Sequence, residues 1–176
     1  SFCNFELDEY NTVDGRYVEM VFDSGASTTT FPPEIGEGYD LIKDEYVDYQ
    51  FRGAGGEVIK DMGRRVINVL DENYQSKSMN HRVANIKSPL VAASQTVHAK
   101  NLVVMDEDFS FVVPTASEFG WHLKQAIQDL TWRFGTGECT TLYEQSGIYH
   151  FDTWIKPGPH QRPSTADAEK PLAQAS

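Results

Sequence analysis

The sequence predicts a mainly β domain, a small barrel or sandwich, followed by one amphipathic helix and an irregular extension. Three observations carry that prediction. Short apolar runs separated by Gly, Asp and Asn clusters recur from residue 5 to residue 113. Helical periodicity is confined to TASEFGWHLKQAIQDL, residues 115–130. From Pro157 onward the composition shifts to Pro, Ala, Ser and charge, the signature of a flexible tail. The expected organisation is therefore a β domain over 1–114, a helix and extension over 115–156, and a tail over 157–176.

Each element has a local reason. Phe5–Leu7 and Tyr17–Phe22 flank Asp14-Gly15, a hairpin signal. A polar, acidic stretch follows over Glu34–Asp48. YVDYQFRGAGGEVIKDMGRRVINVL (46–70) then sets strand-like segments on both sides of Gly53-Ala54-Gly55-Gly56, where three glycines permit positive φ and a mobile tip. Arg64–Leu70 and Asn80–Ile86 read as strands around the turn DENYQSK. Pro89–Ala99 reads as a short helix, and Leu102–Met105 with Phe109–Val113 as a hairpin across Asp106-Glu107-Asp108. Thr115 with Glu118 three residues on is a capping-box pattern. Phe119, Leu123, Ala126, Ile127 and Leu130 share one helical face, expected to pack on the β domain. Trp132–Trp154 reads as irregular structure or short strands.

Bulk properties exclude several partners. With 40% hydrophobic and 23% charged residues the chain has a globular composition. A formal net charge of −11 opposes binding to nucleic acid or to an anionic membrane. No apolar run approaches the ~18 residues that span a bilayer. SFCNFELDEY has neither the basic region nor the apolar core of a signal peptide, so a cytoplasmic location is expected. Cys3 and Cys139 make no disulfide framework. The five histidines show no metal-ligand spacing with them, and neither a metal nor a cofactor is expected.

VFDSGASTTTFP, residues 21–32, is the stretch with chemistry in it. Val21 and Phe22 read as the end of a buried strand, yet Asp23 follows directly. An unpaired carboxylate is costly to bury, so Asp23 either opens an ordinary turn or is placed for a purpose. Asp23-Ser24-Gly25-Ala26, after an apolar strand and before a glycine-rich hairpin, resembles the retropepsin-type aspartic proteases of retroviruses and retrotransposons. Asp23–Ser27 is similar to the Asp-Ser-Gly-Ala-Ser run of copia-like retrotransposon polyproteins. SPLVAASQTVHAKNLVVMDED (88–108) looks like a later protease segment of those polyproteins. LYEQSGIYHFDTWI (142–155) resembles their pre-integrase segment. Leu90-Val91-Ala92-Ala93 departs from the family, which usually has a glycine there.

The resemblance implies a retropepsin-like acid-protease barrel acting as an aspartic endopeptidase on a polyprotein. Amide hydrolysis needs a base to activate water and an acid for the leaving group, and two carboxyls sharing a proton supply both. The chain carries one Asp-Ser-Gly-Ala motif, so the second carboxyl would come from a homodimer mate on a two-fold axis. Asp23 would then sit in a dry position beside that mate. By the same resemblance Ser24 bonds across the interface, Gly25 brings backbone amides to the carboxylate, and Ala26 keeps the cleft floor small. Gly53, Ala54, Gly55 and Gly56 form a flap over an extended peptide substrate, flanked by Arg52 and Glu57. The alternatives from the residues alone are a peptide-binding module without catalysis and a structural polyprotein segment.

Overall fold

The computed structural model describes residues 16–47, 50–53 and 55–156. They are mainly β. The first limb of the expected Phe5–Leu7 hairpin, its Asp14-Gly15 turn, Cys3, Ala54 and the tail from Pro157 lie outside the described residues.

One open six-stranded sheet organises the chain, and no barrel closes among the described residues. Its strands are β1 (Val21–Asp23), β2 (Thr30–Phe31), β3 (Gln50–Arg52), β4 (Val58–Leu70), β5 (Ser76–Ala84) and β6 (Leu90–Ala92), in the order β1-β6-β2-β5-β4-β3. The strand expected over Tyr17–Phe22 is therefore shorter. Residues 16–20 carry no strand, although Val18 and Met20 pack on the core.

β4 merges two segments that the sequence suggested separately. Its start pairs with β3 through Arg52↔Val58, and its remainder pairs with β5. The register shifts between Asp61 and Gly63, which bends the strand. Gly63 has φ +135, and a Cβ there would meet the Ile42 carbonyl oxygen at 2.7 Å. Only glycine fits that crossing. Along β4 the inward row continues through Arg65 to Ile67, which joins Phe31 and Ile35 in the core.

A charge network stiffens the bend. Asp61 is 1% exposed; it accepts from Arg82 Nε at 2.7 Å and from the Gly63 amide at 2.8 Å. Arg82 also donates to both oxygens of Asp44, at 2.6 and 2.9 Å. Those hydrogen bonds hold the Asp44 carboxyl below its usual range and raise Arg82 above its own.

Two expectations about helices need correction. Pro89–Ala99 is not one helix. Its first part is β6, and only Ala93–His98 is helical (α1). Leu90 and Val91 lie between two strands, where ladder bonds outweigh weak helix propensity in so short a segment. Residues 101–114 form the expected hairpin, β7 (Asn101–Met105) and β8 (Ser110–Pro114), with Leu102 opposite Val113.

The long helix α2 (Glu118–Phe134) is capped by Ser117, not Thr115: Gly120 N donates to Ser117 Oγ at 3.0 Å. Its apolar face does not pack on the β domain as expected. Phe119 meets Phe111 edge-on at 5.6 Å and Leu123 is half-buried, but Ile127, Leu130 and Phe134 are exposed. Amphipathic spacing fixes which residues share a face but not what covers it. After α2, β9 (Tyr143–Gln145) and β10 (Ile148–His150) form a small hairpin.

Candidate active site

Asp23 ends β1, which runs parallel to β6 with Asp23 opposite Ala92. β6 also pairs antiparallel with β2, Thr30 opposite Leu90. The loop from Ser24 to Thr29 thus joins two strands between which a third, distant in sequence, is threaded. Thr29 fastens that arrangement. Its Oγ1 accepts from the Ala92 amide at 3.0 Å, and its own amide donates to Gln95 Oε1 at 2.8 Å. Ala92 and Ala93 are buried here, beside the Thr29 hydroxyl and amide contacts that close the loop.

The loop itself is an Asx turn. Gly25 N donates to Asp23 Oδ1 at 2.7 Å, and a Cβ at Gly25 would stand 3.3 Å from that oxygen. Any side chain at position 25 would crowd the carboxylate. Asp23 and Ala26 are half-buried, while Ser24, Gly25 and Ser27 are exposed. A single chain therefore does not supply the dry position expected of Asp23.

The glycine hairpin forms where the sequence placed it. Gly53 N donates to Glu57 O and Gly56 N donates to Gly53 O, both at 2.9 Å. The positive φ falls at Gly56 (+83) and not at Gly55. Gly53 and Gly55 matter for a different reason. Glu57 folds its carboxylate along the tip, where a Cβ at Gly55 would meet Oε2 at 2.9 Å and one at Gly53 would overlap it. Arg52 is exposed beside it.

Thr29 and Gln95 are the site residues that sequence reasoning missed. Thr29 stood in a visible hydroxyl cluster, but nothing in the local sequence tied Gln95 to a loop 66 positions earlier. Two cavities, of about 780 and 700 Å³, flank the β7–β8 hairpin and share Phe22 and Val112 as walls. Neither is lined by Asp23 or by the glycine tip. The larger one touches Arg82 and Lys77, but these pair with Asp44 and Asp61 and with Asp71, so it is no ready anion site. The described residues hold no group of three His, Cys, Asp or Glu arranged for a metal ion, and no helix among them is long and apolar enough to cross a membrane. Cys139 is exposed and free.

Comparison of the chain with protein families, with curated proteins and with solved structures returned no match in any of the three.

Proposed function

We propose that the chain is one half of an aspartic endopeptidase of a retroelement polyprotein, with Asp23 as the catalytic residue and a homodimer as the active form. The supporting observation is the Asp23 loop. A carboxylate at a strand end is oriented by the Gly25 amide, and its loop is tied by Thr29 to Ala92 and Gln95. Such bracing suits a group that must hold one geometry through a proton transfer. The glycine hairpin fits the same reading as a flap that folds over an extended peptide.

In this reading two copies of Asp23 meet across a two-fold axis. One carboxylate takes a proton from water as it attacks the scissile carbonyl while the protonated partner donates to the carbonyl oxygen; the first carboxyl then passes the proton it took to the leaving nitrogen, and the partner recovers its own as the carbonyl re-forms. Like charges in contact cannot both ionise, which keeps the shared proton in place at mildly acidic pH.

The test is cleavage of an extended polypeptide substrate by the wild-type chain and by Asp23→Asn. The Asn variant should keep its melting temperature and lose activity by ~10²-fold or more, the scale of a principal acid–base group. Retention of most activity sinks the proposal. Peptide binding by the wild type without cleavage would favour the non-catalytic module instead.

A further inference from the structure

The turn of the β9–β10 hairpin lies flush against the candidate catalytic loop. Ser146 (φ 54) and Gly147 (φ 83) both adopt left-handed conformations, a two-residue turn of the type that joins tightly twisted strands. A Cβ at Gly147 would stand 2.9 Å from each of three Ser27 atoms: Cα, Cβ and O. Ser27 is four positions after Asp23, so backbone meets backbone at the Asp23 loop, and only glycine allows it. The seated edge of the hairpin, Gly147 to Tyr149, is half-buried, whereas Tyr143–Gln145 is exposed.

A second contact holds the hairpin from the side. Glu144 Oε1 accepts from the Gly147 amide at 2.5 Å, and its Oε2 lies 3.4 Å from His98 Nε2 at the end of α1. The hairpin thus touches both the loop that carries Asp23 and the helix that carries Gln95. Its attachment is light. Residues 135–142, which connect it to α2, are all exposed. Eight residues can extend by up to ~28 Å. A lone two-stranded hairpin is marginally stable, so little besides these contacts holds it in place.

We propose that β9–β10 is a strap seated on Ser27 of the Asp23 loop in cis, which must leave before a second copy of the chain docks there. The inference rests on reading Asp23 as half of a two-fold pair. If a fraction f of chains has the strap open, assembly requires two open chains, and the apparent dimer dissociation constant rises as 1/f². A modest contact therefore has a squared effect on assembly. Release of the extension becomes the event that permits activity.

The experiment uses the full chain and two readouts independent of cleavage: hydrogen exchange of amides 24–28, and dimerisation by sedimentation. Gly147→Val places a branched side chain at a left-handed position against Ser27 backbone. Amides 24–28 should exchange ~5-fold faster, and the dimer should tighten by ~10-fold or more. A second variant keeps the test open should that turn misfold. Glu144→Ala leaves Gly147 in place but removes the acceptor of its amide and the partner of His98, and should move both readouts in the same direction. Unchanged exchange at amides 24–28, dimerisation equal to wild type in both variants, or no dimer in any form would each overturn the strap. If these variants tighten the dimer while wild type and Asp23→Asn cleave alike, the strap stands and the protease reading falls.

Discussion

His81→Phe should separate acid stability from catalysis. His81 is 2% exposed and stacks on Phe31 with ring centroids 4.2 Å apart. Neither ring nitrogen has a hydrogen-bond partner of good geometry among the described residues. Burial pushes its pKa down from 6.5 to about 4, the Met79 backbone opposing slightly and the Arg65 charge adding to the fall. Between those two values the unfolded chain binds a proton that the folded chain refuses. Stability is then lost as pH drops through 6.5, and the loss levels off near 4. At pH 4.5 the cost is ~2–3 kcal/mol, because the window spans about two pH units and each contributes a little over 1 kcal/mol. Phenylalanine preserves the stacking, removes two orphaned nitrogens and has no proton to refuse. Urea unfolding at pH 7.0 and 4.5 gives the measurement. The variant's advantage should grow by ~2–3 kcal/mol at the lower pH, a midpoint shift of ~1–2 M. An advantage equal at both pH values would refute the reasoning. If the proposed aspartic dyad works in this same acidic range, part of any acid-side loss of cleavage should be unfolding that His81→Phe relieves.

Gln95→Ala leaves the buried Thr29 amide without its acceptor and should cost ~1–2 kcal/mol by urea unfolding, with faster amide exchange concentrated in residues 24–29. Asp61→Ala strips one carboxylate from Arg82 and leaves Gly63 N unpartnered, so a loss of ~3–5 kcal/mol is expected in thermal or chemical melts. Gly56→Val penalises φ +83 at an exposed tip, and should cut peptide turnover strongly while the melting temperature changes little. If stability falls steeply and cleavage per folded molecule holds, the tip is only a turn. Specific activity should also fall on dilution through the dimer dissociation constant, read by assaying cleavage across a concentration series.

The strands that were legible in the sequence are those with two-residue alternation and a clear turn. β7 and β8 around Asp106-Glu107-Asp108 fall close to their expected bounds, and the β4–β5 turn falls where expected, although β4 starts at Val58 and not Arg64 and β5 spans Ser76–Ala84 and not Asn80–Ile86. β6 was not legible. Three residues are too few to show a period, and its two neighbours come from segments sixty to seventy positions earlier. The Asp23 motif and the glycine tip could be named from composition and order. The positive φ at Gly56 in place of Gly55 depends on the hydrogen bonding of the turn, which several glycines in a row leave open. The α2 stripe was visible as a stripe. Its exposure depends on the tertiary arrangement, which periodicity does not encode.

The threading of β6 between β1 and β2 has a consequence in time. The Asp23 loop is complete only when Ala92 and Gln95 have reached Thr29, across separations of 63 and 66 residues. On a ribosome adding ~5–20 residues per second, a nascent chain that ends before Leu90 carries the whole Asp-Ser-Gly-Ala motif and still lacks the frame that aims it. Its β2 has no β6 beside it, and its Thr29 amide has only water. Fragments stopping at Leu70 or Ala84 should therefore never acquire the loop geometry, however long they are left to fold. Such long-range closure also comes late in folding, after the local β4–β5 and β7–β8 hairpins. The aspartate's orientation is thereby tied to completion of the chain, and a truncated product carries the motif unarmed.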